Sequence, residues 1–163
     1  IENSLAALQA CFLIKNTFLS NTDNASVALR KKLLTECNLH TVLDLPSGVF
    51  QAGVKTVVLF FKKGEPTNKV WFYQLNLNRT LGKTDPLNEA DLADFLVKQK
   101  TEENSENSWN VKVSDLDDNY DLSPKNPNKV EVVDNRTPEQ IAQEIKDLAI
   151  DSNRLLDEII GML

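Results

Sequence analysis

Histidine, methionine, cysteine and glycine are scarce in this chain: one, one, two and five among 163 residues. Each scarcity removes a class of chemistry. Cys11 and Cys37 form neither a CxxC pair nor a Cys/His ligand spacing, and His40 has no second imidazole with which to share an ion. No metal site is therefore expected, and the sparse cysteines point to a reduced, cytoplasmic compartment. With so few glycines there is no Gly-rich phosphate loop, and no Ser or Cys lies near a His in a recognised nucleophile arrangement. Long apolar runs are missing too. The longest, residues 57–61, is closed by Lys62 and Lys63, far short of the ~18 residues a membrane span needs, so no membrane is expected. The chain opens on Ile1 without a basic segment ahead of an apolar run, which predicts no signal peptide and suggests that something lies upstream. Basic residues are outnumbered, 18 against 24 acidic, for a net charge of −6. Phosphate contacts need clustered cations, so this balance speaks against a free-standing nucleic-acid binder.

What is present is an ordinary globular composition, 41% hydrophobic and 26% charged, enough for one core with an appendage. The charge is unevenly spread. Residues 1–64 carry seven Lys and Arg against four Asp and Glu, whereas residues 130–163 carry three against eight. Any DNA-facing surface belongs to the first part, and the acidic tail meets protein.

Periodicity predicts the elements. Asn24 and Ser26 are candidate caps for a helix to about Glu36, with Leu29, Leu33 and Leu34 as its stripe and Arg30, Lys31 and Lys32 as a basic face. Residues 41–45 read as a short strand. Residues 54–61 are almost continuously apolar and β-branched, as in a strand buried on both faces. Residues 69–75 form a third strand, and the turn formers between 62 and 68 predict an antiparallel hairpin with the second. Asn88 caps a helix to about Gln99, with Leu87 and Leu92 as a hydrophobic staple. The polar run 100–108 reads as a mobile surface loop, and Trp109, Val111 and Val113 alternate along a one-faced strand. Residues 115–128, dense in Asp, Asn and Pro, read as loop anchored by Tyr120 and Leu122. Within Trp71-Phe72-Tyr73, strand alternation predicts core packing with one ring exposed. Last, Thr137-Pro138-Glu139-Gln140 is a capping box with Pro at the first helical position. It opens a helix whose Ile141, Ile145, Leu148, Ser152, Leu155, Ile159 and Met162 follow heptad spacing. That seam fits docking on a partner's helices and equally fits folding back on its own domain.

Acid pairs such as Asp117-Asp118 and Glu102-Glu103 lie in polar stretches and read as solvated loop. Asp115, Asp117 and Asn119 lack the Gly and terminal Glu of a calcium loop. No catalytic constellation is present.

From residue 39 onward, LHTVLDLPSGVFQAGVKTVVLFFKKG closely resembles the late methyltransferase-fold segment of type I restriction–modification M (modification) subunits, adenine-N6 DNA methyltransferases. The preceding ASVALRKKLLTECN, the following VWFYQL and the later SWNVKVSDLDDNYDLSPKNPN resemble the same family, as does the capped C-terminal helix. The resemblance implies an α/β fold: the C-terminal part of a Rossmann-like sheet with a β-hairpin, then a loop-rich segment and a C-terminal helix. It also implies methyl transfer from S-adenosylmethionine to adenine N6 in DNA. The family's FxGxG cofactor loop and Asn-Pro-Pro-Phe/Tyr catalytic motif are both absent from this sequence, and Asn126-Pro127 is followed by Asn128 in a late loop. The chain is therefore expected to hold no catalytic residue, to be inactive by itself and to bind no cofactor alone.

The same resemblance places Phe50 where related enzymes stack an aromatic ring on the extruded adenine, with Pro46, Gly48 and Gly53 supporting its loop. The bland alternative is a ring that plugs the domain surface. Arg30, Lys31 and Lys55 are candidate phosphate contacts, and solvated positions explain them equally well. Implied partners are DNA and the specificity and restriction (motor) subunits, with Ile141, Ile145, Leu148, Leu155 and Ile159 forming the docking helix. Four segments result: a divergent remnant over 1–23, lacking the family's strand into a Leu-Pro-Asp turn; the late methyltransferase domain over 24–114; the loop segment 115–136; and the interaction helix 137–163. Two other readings stay open: a non-catalytic module binding the specificity subunit, and the inactive remnant of a disrupted gene.

Overall fold

The computed structural model describes residues 9–50, 53–129 and 136–162. The chain divides into two compact units, residues 1–129 and 130–163.

The first unit is built on five strands: β1 (Gln9–Lys15), β2 (Cys37–Leu45), β3 (Thr56–Lys63), β4 (Lys69–Gln74) and β5 (Ser108–Lys112), ordered β1-β3-β2-β4-β5. Only the β2–β4 pair is parallel. Helix α1 (Asn24–Glu36) precedes β2, and α2 (Ala93–Lys98) follows a 3-10 turn at Glu89–Leu92. This is the α/β fold expected.

Three details differ from the sequence-based expectation. The cap of α1 is Asp23, whose carboxylate accepts from the Ser26 backbone N–H at 2.9 Å. The segment 1–23 does hold a strand, β1, paired with β3 along its whole length. Most instructive is the hairpin. β3 and β4 are not neighbours, because β2 lies between them, and the true hairpin is β2–β3. The turn residues 64–68 instead cross the start of β2, spanning two strand spacings, about 9.6 Å. Thr67 fixes this crossing: buried, its hydroxyl donates to the Cys37 carbonyl at 2.7 Å and accepts from the Leu39 N–H at 2.8 Å.

Both faces of the sheet are covered at its centre, so Trp71, Phe72 and Tyr73 are all buried and none is the exposed ring expected. Alternation sends Phe72 to the face holding Leu33, Leu34, Val57 and Trp109, and Trp71 and Tyr73 to the face holding Leu43 and Phe95. Phe72 stacks on Trp109 and Trp71 on Phe95, with centroids 5.6 and 6.0 Å apart. The run 100–108 is also held in place. Its Glu103 carbonyl accepts from Trp71 Nε1 and Ser108 Oγ, and its Glu102 carbonyl from Asn110. Leu122 is fully buried, as an anchor should be, and Tyr120 adopts a left-handed φ of 53°.

Among the described residues no strand pairs with the outer edge of β1, where Phe12 and Leu13 are exposed. No described helix is long and apolar enough to cross a membrane.

The second unit contains α3 (Pro138–Gly161), opened by the expected capping box between Thr137 and Gln140. Arg136 pairs with Glu144 just beyond it. Ile145, Leu148, Leu155 and Ile159 are exposed, as is Ile141 to a lesser degree.

Candidate nucleic-acid interface

Strand directions decide where a site can form. β1 and β2 both run antiparallel to β3, and β4 runs with β2, so the carboxyl ends of β1, β2 and β4 share one edge of the sheet. In open α/β sheets ligands bind beyond such an edge. Here it carries the β2–β3 connection, residues 46–55, and the long segment after β4.

The β2–β3 connection leaves the sheet at buried Leu45 and half-buried Pro46, then turns at Gly48 with φ +95°. A Cβ at Gly48 would stand 2.6 Å from the Leu81 carbonyl oxygen, so both the backbone angle and the close approach demand glycine. Gly53, with φ +77°, has open space around it and needs glycine for the angle alone. Between them Phe50 is 61% exposed. Gln51 and Ala52 lie outside the described residues.

Opposite lies a loop that the sequence reading did not single out. Arg79 holds it, pairing with Asp85 and Asp91 at 2.5 Å each and donating to the Asp85 and Pro86 carbonyls. Leu81 is buried against the Gly48 turn, whereas Thr80, Gly82 and Lys83 are exposed. Between the loops is a cleft of about 440 Å³ lined by Ser47, Phe50, Gly53, Thr80 and Lys83 among others. A lone Leu inside a polar run, flanked by Arg79 and two later aspartates, was the available signal.

Nearby, Asp44 is half-buried at the end of β2. Burial raises its pKa, while the positive charge of Lys55 and a hydrogen bond from Asn16 at 3.3 Å act the other way. The three cationic candidates separate. Lys55 is exposed at this edge, and Lys31 is exposed on α1 with its ammonium 6.0 Å from the centre of the Tyr120 ring. Arg30 cannot meet phosphate: it is fully buried, and its guanidinium donates to the carbonyls of Phe18, Asn21, Asn119 and Tyr120 at 2.7–2.8 Å. Asn126 is similarly occupied, donating to the Glu106 carbonyl and accepting from the Asn128 N–H.

A mixed sheet with an antiparallel strand set between two parallel ones, and a glycine-hinged aromatic loop at its carboxyl edge, has the architecture of the C-terminal part of a Rossmann-like domain. The chain belongs to the N-6 DNA methylase family, whose model matches residues 3–136 and so takes in most of the segment that had looked divergent. It is 41% identical over 133 residues to the type I restriction enzyme EcoEI methylase subunit of Escherichia coli, an alignment covering 69% of this chain and 26% of that one. A crystal structure of a modification subunit assigned to a type I restriction enzyme of Vibrio vulnificus YJ016 superimposes with a TM-score of 0.67 at 29% identity. It covers 77% of this chain and 28% of its own. A structure from a type I R-M system shares the fold with a TM-score of 0.68 at 24% identity over 96% of this chain and 36% of that one. The chain thus spans about a quarter to a third of the length of these proteins.

Proposed function

We propose that this chain is the C-terminal part of a type I modification subunit, an S-adenosylmethionine-dependent adenine-N6 DNA methyltransferase whose cofactor loop and catalytic motif lie outside these 163 residues. The observation that carries the reading is Phe50, an exposed ring on a loop hinged by Gly48 and Gly53 at the carboxyl edge of the sheet. Chemistry on a base requires its extrusion from the duplex, and an extruded base is held between flat faces. One such contact contributes about 1–3 kcal/mol.

The residues present do not fit the cofactor. β1 leads into the 3-10 turn Asn16–Leu19, which contains no glycine, and Gly48 is already committed to the Leu81 contact. What this chain's residues do is hold and orient. Phe50 offers a face to the base, the Gly48–Leu81 contact fixes the height of its loop, and Lys55 and Lys31 supply positive charge.

The exposed seam of α3 supports a second contribution, docking on the specificity subunit, with the restriction subunit joining the assembled complex. Binding of that kind without chemistry is the rival reading, and a disrupted gene product is a third. A cytoplasmic location follows from the same assignment.

Calorimetric titration of the chain with S-adenosylmethionine is expected to give no saturable heat, and mixing with a segment carrying the cofactor loop and catalytic motif should yield methylation of adenine. Micromolar binding by the chain alone would overturn the assignment of parts. Methylation unaffected by Phe50→Ala in the reconstituted enzyme would overturn the stacking role.

A further inference from the structure

The segment after β4 plays no part in the reading above beyond supporting the Phe50 loop, yet it carries two cations with different fates. Arg79 is consumed by shape. Both ends of its guanidinium are paired, with Asp85 and Asp91, and Asp91 in turn accepts from the Asn88 N–H at the start of the next helical turn. Lys83 is exposed and has no hydrogen bond or ion pair among the described residues. It lines the same cleft as Phe50.

We propose that Lys83 is a backbone-phosphate contact for the nucleotide whose base stacks on Phe50, on a loop whose position is set by Arg79 and by the Gly48–Leu81 contact. This deepens the proposed function and rests on it. An extruded nucleotide presents two unlike surfaces, a flat apolar base and an anionic phosphodiester, and a site must meet both. The cleft, about 440 Å³, falls within the range of small-ligand pockets, about 300–1,000 Å³. It has an aromatic ring on one loop and an ammonium on the other. The loops touch backbone to backbone, since a single methyl group at Gly48 would meet the Leu81 carbonyl oxygen at 2.6 Å. Leu81, buried two residues before Lys83, fastens the second loop to the first. The two loops that carry ring and cation are thereby held together at Gly48 and Leu81. Lysine suits the role, because a compact ammonium on a flexible stem meets a phosphate as a point charge.

The test uses the 163-residue chain reconstituted with the segment carrying the cofactor loop and catalytic motif, and a short duplex with 2-aminopurine opposite an abasic site, where extrusion costs least. Affinity is read by anisotropy across a salt series, and stacking by the emission of the bound 2-aminopurine. Removing one phosphate contact lowers the slope of log affinity against log salt by about 0.9. With Lys83→Gln, the affinity lost between about 50 and 200 mM salt should therefore shrink about 3.5-fold. Lys83→Arg should restore the slope, and Phe50→Ala should change the emission while keeping it. An unchanged slope in Lys83→Gln, with emission still dependent on Phe50, overturns the Lys83 contact and leaves the stacking role standing. A slope that falls with Lys83→Gln while Phe50→Ala alters neither emission nor affinity removes the stacked base and with it the proposed pairing. Absence of salt-dependent binding by the unaltered reconstituted enzyme overturns both.

Discussion

Replacing Arg30 by methionine tests whether a residue that looks like part of a basic surface is instead a central tie of the fold. Its guanidinium joins α1 to the turn after β1, through Phe18 and Asn21, and to the loop after β5, through Asn119 and Tyr120. The contact with Phe18 is fully buried, and the other three are partly so. In Arg30→Met the Phe18 carbonyl loses its partner away from water, at about 1–3 kcal/mol. The three partly buried carbonyls turn to solvent and forfeit the charge-assisted surplus, about 1 kcal/mol each. Removing a buried charge returns some desolvation energy, so the net loss should be about 3 kcal/mol. In a chain of this size that corresponds to a melting temperature lower by about 6–12 °C. Urea unfolding followed by the fluorescence of buried Trp71 and Trp109 measures it directly. Arg30→Lys should recover only part of the loss, because an ammonium has three donors and cannot span four carbonyls. A loss below about 1 kcal/mol for Arg30→Met would refute the tie. A salt slope for DNA binding lowered in a variant of unchanged stability would return Arg30 to the phosphate contacts.

Gly48→Ala should destabilise by about 1–3 kcal/mol and change the 2-aminopurine emission of bound DNA, whereas Gly53→Ala, with open space around it, should show only the cost of its backbone angle, read by thermal melts of both. Asp44 has a pKa raised above its ordinary value by burial, so its contribution to stability is greatest at low pH and falls as pH rises through the raised value. Asp44→Asn should accordingly gain stability relative to the unaltered chain as pH climbs past that point; urea midpoints that track each other across acidic to neutral pH would contradict this. In α3, Leu148→Asp and Leu155→Asp should leave the melting temperature unchanged and abolish co-purification with the specificity subunit. A drop in melting temperature would instead show that the seam packs on its own domain.

Some of this structure was legible in sequence, and the limits have physical causes. The β-branched run that became β3 and the Thr137 capping box are local signals, set by backbone and side-chain preferences within a few residues, and both elements formed where expected. The β3–β4 hairpin was misplaced because residues 64–68 really are turn formers. Which strand a turn reaches depends on β2, which enters between β3 and β4 from α1. β1 was overlooked because Phe12 and Leu13 break an inside–outside alternation, both being exposed. Arg30 was misread because Lys31 and Lys32 beside it are solvated, and only the distant carbonyls of Asn119 and Tyr120 make its position an interior one. At the site, Gly48 and Phe50 could be found from one short motif. The loop of Arg79, Leu81 and Lys83 left only a lone Leu in a polar run as its signal, since its relation to Phe50 exists only through contact across the carboxyl edge.

The outer edge of β1 bears on how the protein behaves in bulk. It is seven residues long, it presents backbone donors and acceptors with no strand beside them among the described residues, and Phe12 and Leu13 are exposed along it. Such an edge carries no address: it pairs with any extended segment of suitable pattern, including another copy of itself. Solubility of the separated chain should therefore depend steeply on concentration and on how soon a complementary segment arrives.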